Sequence, residues 1–340
     1  MRRQPVFVAL AASVLVLAGC GTPGSSGGGG GAPTPGGGTT AGATTAAAAA
    51  CAPVAGNQLV VLTDDKHLQT VDNVIPAVNA KAATSSPQLV AVLDTVSAVL
   101  DTPKLIALNK AVDVDRQTSS QAASAFVAAQ NLGSPQKVGN GAKVLVGAAN
   151  FSENATLAEI YADVLKAAGF DASTQTIGNR ETYEPALERG DLTVVPEYAG
   201  TLTEFLNKKV NGSNAAAKAS SDLTATVTAL QGLGQQVGLT FGKPAAAQDQ
   251  NAFAVTTAFA KAHNLTTLSD LAKTCSGIVL GGPPECPTRP FCQPGLAQTY
   301  GLDISSFVSL DAGGPLTKAA LQQGKVALGL VFSSDSSLAS

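Results

Sequence analysis

The stretch AKVLVGAANFSENATLAEIYADVLKAAGF (142–170) and its continuation IGNRETYEPALERGDLTVVPEYAGTLTEFL (177–206) decide the fold. Lys143 to Ala149 is a short, almost unbroken apolar run, the pattern of a strand covered on both faces. A polar loop follows, Asn150-Phe151-Ser152-Glu153-Asn154. Leu157, Ile160, Tyr161, Val164, Leu165 and Ala168 then recur at i, i+3, i+4 spacing, which predicts a helix. It ends at Gly169, the residue type suited to a position just past a helix C-terminus. A second helix over Glu181 to Arg189 stops at Gly190, and Leu192 to Tyr198 is again extended. The order β-α-β-α-β predicts a parallel sheet with right-handed crossovers. Ligands of such sheets sit beyond the carboxyl ends of the strands, where the Asn150–Asn154 loop and the Pro196–Thr201 segment fall. Asn150 and Ser152 are therefore candidate cleft residues, although Ser152 serves equally as a helix N-cap.

The rest of the chain sets limits on function. A length of 340 residues allows one or two domains, and a net charge of −3 leaves no electrostatic footprint for nucleic acid. Residues 1–20 have the parts of an export signal: Arg2 and Arg3, an apolar run from Val6 to Leu17, then Leu17-Ala18-Gly19-Cys20. The run is too short for a permanent span. Leu-Ala-Gly-Cys looks like a lipobox, so Cys20 is expected to carry the lipid; a plain secretory signal or a twin-arginine signal is the alternative. Residues 21–56 are assigned to a disordered tether, because Gly21 to Ala50 is Gly, Ala, Thr, Pro and Ser without periodicity. A flexible chain of about thirty residues spans on the order of 30 Å. The protein is thus expected at the cell membrane, lipid-anchored on its extracytoplasmic face.

Besides Cys20 there are Cys51, Cys275, Cys286 and Cys292, and an even count in an exported protein suggests two disulfides with three possible pairings. Cys286 and Cys292 flank Pro-Thr-Arg-Pro-Phe and can pin that loop. Cys51 and Cys275 would then tie the start of one domain to the other. No CxxC pair supports zinc, so no metal and no cofactor are expected.

Asn150-Phe151-Ser152-Glu153, Ala158-Glu159-Ile160-Tyr161-Ala162 and PEYAGT (196–201) together resemble the substrate-binding lipoproteins of osmoprotectant ABC importers, which take up glycine betaine, choline, carnitine and proline betaine. The resemblance continues through DQNAFAV (249–255), GGPPECPTRPF (281–291) and LDAGGPLTKAALQQG (310–324), and reappears upstream in VLTDDKHLQTVDNVIPAV (61–78) and LNKAVDV (108–114). In the family pattern the upstream block comes last, so the chain looks circularly permuted. The resemblance implies an α/β, two-lobe, periplasmic-binding-protein-like (type II) fold with an interlobe ligand cleft. Lobe 1 is expected over 57–248, made of the permuted block 57–130, a linker 131–142 and the βαβ unit 143–248. Lobe 2 is expected over 249–340 with a return to the hinge. The Leu59–Thr63 strand is expected in the same sheet as Lys143–Ala149, and Ser340 near Asn57.

A quaternary ammonium has no N–H donor, so it is gripped by desolvation and aromatic faces. With four Tyr and no Trp, the candidates are few. The resemblance assigns Tyr198 as an aromatic wall, Thr201 as a hydroxyl donor, Phe253 as a cage position with Asn251 beside it, Arg289 and Glu285 as the cleft Arg and acid, and Asp72 to the last cleft-facing loop. Gly313 and Gly314 precede the helix at Pro315 and can offer backbone N–H groups to an anion. The chain departs from the family pattern at Ala149, Thr193, Val195 and near Thr317, and its aromatic cage is thin. Tyr161 and Tyr300 read as core, Tyr183 can face either way, and His67 and His263 read as surface residues.

There is no GxSxG, P-loop or HExxH, and two histidines leave little for a His-dependent mechanism, so the protein is not expected to be an enzyme. The expected function is solute capture for an ABC permease and its ATPase, the solute being a quaternary amine. The alternatives are a different small polar or aromatic solute, and a lipoprotein sensor without a transporter. If Cys20 carries the anchor, Cys20→Ser should move the protein from the membrane fraction to the medium or leave an unprocessed precursor. A correctly cleaved, membrane-bound variant would refute the anchor.

Overall fold

The computed structural model describes residues 49–133 and 136–338. Cys20, the leader, most of the tether and Ser340 lie outside the described residues. The strands are β1 (Ala49–Ala50), β2 (Leu59–Leu62), β3 (Val74–Asn79), β4 (Lys143–Ala149), β5 (Asp171–Gly178), β6 (Val194–Tyr198), β7 (Leu239–Phe241), β8 (Asn251–Thr256), β9 (Cys275–Ser276), β10 (Ile278–Gly282), β11 (Ile304–Ser309) and β12 (Leu328–Phe332). Two five-stranded sheets, in the orders β5-β4-β6-β3-β7 and β11-β10-β12-β8-β2, form the centres of two α/β lobes.

In the first lobe β4 lies between β5 and β6 and is parallel to both. Helix Ser152–Ala167 connects β4 to β5, and Arg180–Arg189 connects β5 to β6. The apolar run of β4 is explained by helices on both sides. On one face Val144 and Val146 share a core with Leu157, Ile160, Tyr161 and Leu165 of the first crossover helix. On the other, Leu187, Leu202, Leu206, Leu230 and Leu233 of three helices close over Ile75, Ala77 and Val195. Each such large aliphatic side chain stabilises the fold by roughly 1.5–3 kcal/mol on full burial. Gly169 has φ +87°, which fits a residue without Cβ just past a helix end.

β3 and β7 complete this sheet with antiparallel pairings, β3 on β6 and β7 on β3. The sheet is therefore mixed rather than all parallel. Helices Gln88–Ser97, Thr102–Asn109 and Ser119–Ala129 do not make a domain of their own. Their Leu89, Leu93, Leu105 and Phe126 belong to the same core as Val144 and Leu157.

Three expectations are corrected. First, β2 does not join the sheet of β4. It pairs antiparallel with β8, opposite Phe253 to Thr256, and Leu62 enters the second-lobe core. The switch of lobe comes after β2, over residues 63–73, so lobe 1 does not begin at residue 57. Second, the tether ends before residue 56. β1 pairs with β9, Cys51 is buried, the Thr256 hydroxyl donates to the Val54 carbonyl, and the Gly56 N–H donates to the Gln322 carbonyl. Third, Cys51 and Cys275 are bonded to each other but do not tie one lobe to the other. Both sit in the second-lobe core, because the β1–β9 pairing places the start of the ordered chain there. Cys286 and Cys292 form the other bridge and close the Pro287–Phe291 loop.

The chain passes between lobes at residues 63–73 and 248–250, and the segment after β12 returns to the first lobe. The three passages lie together. The Asp249 N–H donates to the Asp72 carbonyl, Asn73 bridges Gln248, and the Ser333 N–H donates to the Gln250 carbonyl. No helix among the described residues is long and apolar enough to cross a membrane.

Alkylation of the folded protein without reductant should leave Cys51, Cys275, Cys286 and Cys292 unlabelled. The double variant Cys51→Ala/Cys275→Ala should lose about 2–5 kcal/mol of stability, the usual cost of removing a native disulfide. Complete labelling of any two of the four thiols would remove a bridge.

Candidate functional site

A cavity of about 530 Å³ lies between the lobes, at the carboxyl ends of β4 and β6 and beside the chain passages. Its size falls in the ordinary range for small-molecule sites. The first lobe lines it with Asn150, Phe151, Arg180, Tyr183, Tyr198 and Thr201, the second with Asn251, Glu285, Arg289, Phe291 and Phe332. Asp72 and Asp249 line it from the passages.

Three rings form an apolar surface across the cleft. Phe151 lies 6.2 Å from Tyr198 and 5.4 Å from Phe332, centroid to centroid. Phe151 belongs to the polar loop after β4, Tyr198 ends β6, and Phe332 ends β12. All three are therefore at strand ends facing the cleft, as the parallel-sheet rule requires of ligand positions.

Beside them is a buried charge network. The Glu197 carboxylate receives a two-pronged contact from Arg180, Nε at 2.8 Å and Nη2 at 2.6 Å, and further bonds from the Tyr183 hydroxyl and the Tyr198 N–H. Arg180 Nη2 also donates to the Thr201 hydroxyl at 3.0 Å. Burial works against the Arg180 charge, but the Glu197 carboxylate outweighs it and holds the guanidinium protonated. The Asp72 carboxylate receives the Gly200 and Thr201 N–H groups at the start of helix Ala199–Asn211, and burial pushes its pKa up to about 7. That approach requires glycine at 200, since a Cβ there would stand 2.2 Å from the Val71 carbonyl oxygen. The Tyr198 hydroxyl donates to Glu153 at 2.7 Å; burial and then the Glu153 charge push that phenol well up.

A second polar group spans the cleft near its rim. Arg289 Nη2 is 2.8 Å from Glu181 of the first lobe and 3.3 Å from Glu285 of its own loop. Asn179 Nδ2 donates to Glu285 at 3.3 Å. Burial would raise the Glu181 carboxyl, but the Arg289 hydrogen bond and charge hold it below its ordinary range.

The structure thus brings Tyr198, Thr201, Asn251, Glu285, Arg289, Asn150 and Asp72 to one cavity. It leaves out four other expected residues. Phe253 is 1% exposed in the second-lobe core, opposite Leu330 and Leu62. Asn251 marks the cleft edge of β8, and two residues further in the strand is already covered; the ring at the cleft comes from Phe332, the partner of Asn251. Ser152 is the first residue of its helix, does not line this cavity, and makes no side-chain cap. Gly313 and Gly314 are not at the cavity either. The helix start after them is already capped by Asp311, whose carboxylate takes the Leu316 and Thr317 N–H groups at 2.9 Å each, so no anion site is left open. Arg289 is positioned by two carboxylates rather than pointing free into the cavity.

The reading of the residues missed Phe151, Phe332, Arg180 and Asp249. Phe151 and Asp249 lie inside quoted motifs, and their place next to strand ends was the available signal. Arg180 could have been suspected as a charged residue opening a helix at the carboxyl end of β5. His263 is half-buried rather than a surface residue, with its ring 4.7 Å from Phe259. It stands with Cys51 and Cys275 in a group of potential metal ligands, but both sulfurs are spent in the disulfide.

The family profile described as "Substrate binding domain of ABC-type glycine betaine transport system" matches residues 41–129 and 142–340. Solved structures similar to this chain include these two. One is described as a glycine betaine/carnitine/choline ABC transporter, with 23% identity over 58% of this chain and 70% of that one, and a TM-score of 0.36. The other is apo YehZ from Escherichia coli, with 24% identity over 56% and 69%, and a TM-score of 0.36. The profile spans most of the chain, and the chain belongs to that family of solute-binding domains.

Removing one partner of a buried ion pair typically costs about 3–5 kcal/mol, whereas a partly exposed pair is worth about 1 kcal/mol or less. Arg180→Ala should therefore destabilise the protein by about 3–5 kcal/mol, and Arg289→Ala by about 1 kcal/mol or less. Urea unfolding of both variants checks this, and equal losses would contradict the assigned network.

Proposed function

We propose that this member of the ABC-type glycine betaine substrate-binding family captures a quaternary amine outside the cytoplasmic membrane and delivers it to a permease driven by an ATPase. The Phe151–Tyr198–Phe332 ring surface inside the cavity carries this reading. A trimethylammonium group offers no hydrogen-bond donor, and three ring faces and edges with a buried Tyr are a suitable receiver for it. The polar end of the solute then meets Asn150, Asn251 and Thr201. Glycine betaine, choline and carnitine are the first solutes to test.

The anchor at Cys20 and the permuted segment order are part of the same proposal. The break in the family match at 130–141 nearly coincides with the Gly/Pro/Asn-rich linker 131–142, which supports a joint there. A second reading, the same fold holding a bulkier or aromatic solute, is favoured by a cavity of about 530 Å³, larger than a trimethylammonium compound needs.

Isothermal titration of the purified protein with choline, carnitine and glycine betaine is the test. A desolvated cation–π contact is worth about 2 kcal/mol, so Tyr198→Ala and Phe332→Ala should each weaken binding by roughly thirtyfold. Failure of the wild type to bind any of the three would reject the quaternary-amine assignment. Unchanged affinity in both variants would reject the site.

A further inference from the structure

We propose that the cleft holds a proton at the point where the chain passages meet and exchanges it for the positive charge of the solute, with Asp249 as the counter-charge. This inference rests on the cationic solute proposed above and names a narrower class. The site would favour a cation without a carboxylate, such as choline, over a zwitterion.

The geometry begins at Ser334. Its Oγ lies 2.6 Å from Glu153 Oε2 and 2.8 Å from Asp249 Oδ1, and it receives Asn109 Nδ2 at 3.1 Å. A hydroxyl has one proton to donate, so it can satisfy only one of the two acids. The second contact is a hydrogen bond only if that acid carries the proton itself. Two carboxyls brought this close in a dry site do not both ionise, by the same logic that makes paired aspartates share one proton.

Among the described residues no cation is bonded to either acid. Glu153 meets Asn109 from helix Thr102–Asn109, Tyr198 from β6 and Ser334 from the C-terminal segment. Asp249 meets the Ser334 N–H and hydroxyl, and Asp72 on the adjoining passage opposes its charge further when it is itself ionised. Arg180 lies nearest to Asp72 but is bound to Glu197 and Thr201. Asp335, next to Ser334, is paired with Lys318. Burial first, and the neighbouring acid second, push Asp249 well up; burial pushes Glu153 up too.

Glu153 is turned toward Tyr198, Asn109 and Ser334, but Asp249 lines the cavity, as do Phe151, Tyr198 and Phe332. A cation seated on those rings therefore lies in the same cavity as Asp249, where its charge favours the ionised form. The proton leaves to solvent as the solute enters, so no other reactant is required. A carboxylate on the solute finds neither cavity arginine free, since Arg180 and Arg289 are both held by acids, and it would share the cavity with the Asp249 carboxylate.

Titration calorimetry of the full-length protein with choline, in two buffers of different ionisation enthalpy, counts the protons released. We expect up to one proton per choline at about pH 6, and an affinity that rises by about tenfold per pH unit until the pair is ionised. Dimethylbutanol, the neutral isostere of choline, should bind with no proton release. Asp249→Asn should weaken choline binding by about tenfold or more, leave dimethylbutanol binding in place and cut proton release to what Asp72 alone can supply. Glu153→Gln, which removes the neighbouring acid but not the burial, should lower the pH at which choline affinity levels off. Choline binding by the wild type without proton release, at an affinity flat from about pH 5 to about pH 8, would overturn the exchange and leave the quaternary-amine reading intact. Binding of none of the quaternary amines would overturn both. If Asp249→Asn does not fold, the proton count and pH profile of the wild type still decide.

Discussion

Everything at the cleft depends on the way three passages of chain are hydrogen-bonded into one narrow junction. Asp249 pairs with Asp72, Asn73 with Gln248, and Ser333 with Gln250, so the strands that leave one lobe enter the other side by side. Backbone groups in such a covered junction must find partners in each other, because water is excluded. The junction also gathers Asp72, Glu153, Asp249 and Ser334, polar residues that are all buried. Burial of an acid is unfavourable to its charge, so these acids are pushed toward their protonated forms.

Against this floor the protein sets one deeply buried ion pair. Moving Arg180 and Glu197 out of water is costly, and the pair persists because almost every acceptor and donor around it is used: Tyr183, Thr201 and the Tyr198 N–H all end on it. The consequence is positional. The backbone of Tyr198 and the side chain of Thr201 are tied to the same carboxylate and guanidinium, so the ring at the end of β6 is held by its own first-lobe partners. The pair of Arg289 with Glu181 is different in kind. It is partly exposed and joins opposite walls, so it contributes little to stability and most to how the two walls face each other.

Much of the secondary structure was legible because it depends on local periodicity. The helix Ser152–Ala167 and the strand Lys143–Ala149 lie where their apolar spacing places them, and the β-α-β-α-β order follows from the alternation of the two periods. The sheet to which a strand belongs is not a local property. Leu59–Leu62 is a short apolar run that could pair in either sheet; only its antiparallel partner β8 decides, and that partner is nearly two hundred residues away in sequence. The same limit explains the aromatic residues. Phe253 and Phe332 are both apolar residues on buried strands, and they differ in how far along the strand the lobe's cover reaches.

The sequence by itself determined the element order, the two-lobe α/β class through its motifs, the count of four cysteines to be paired, and a set of residues at strand ends. It could do so because periodicity, end signals and motif spacing act over a few turns of chain. Only the tertiary structure decided which cysteines meet, which ring reaches the cleft, that Arg289 and Arg180 are already held by acids, and that Glu153 and Asp249 converge on one serine hydroxyl. Those facts depend on distances between residues far apart in the chain, and contacts of that kind are set by packing of whole elements, which no local pattern encodes.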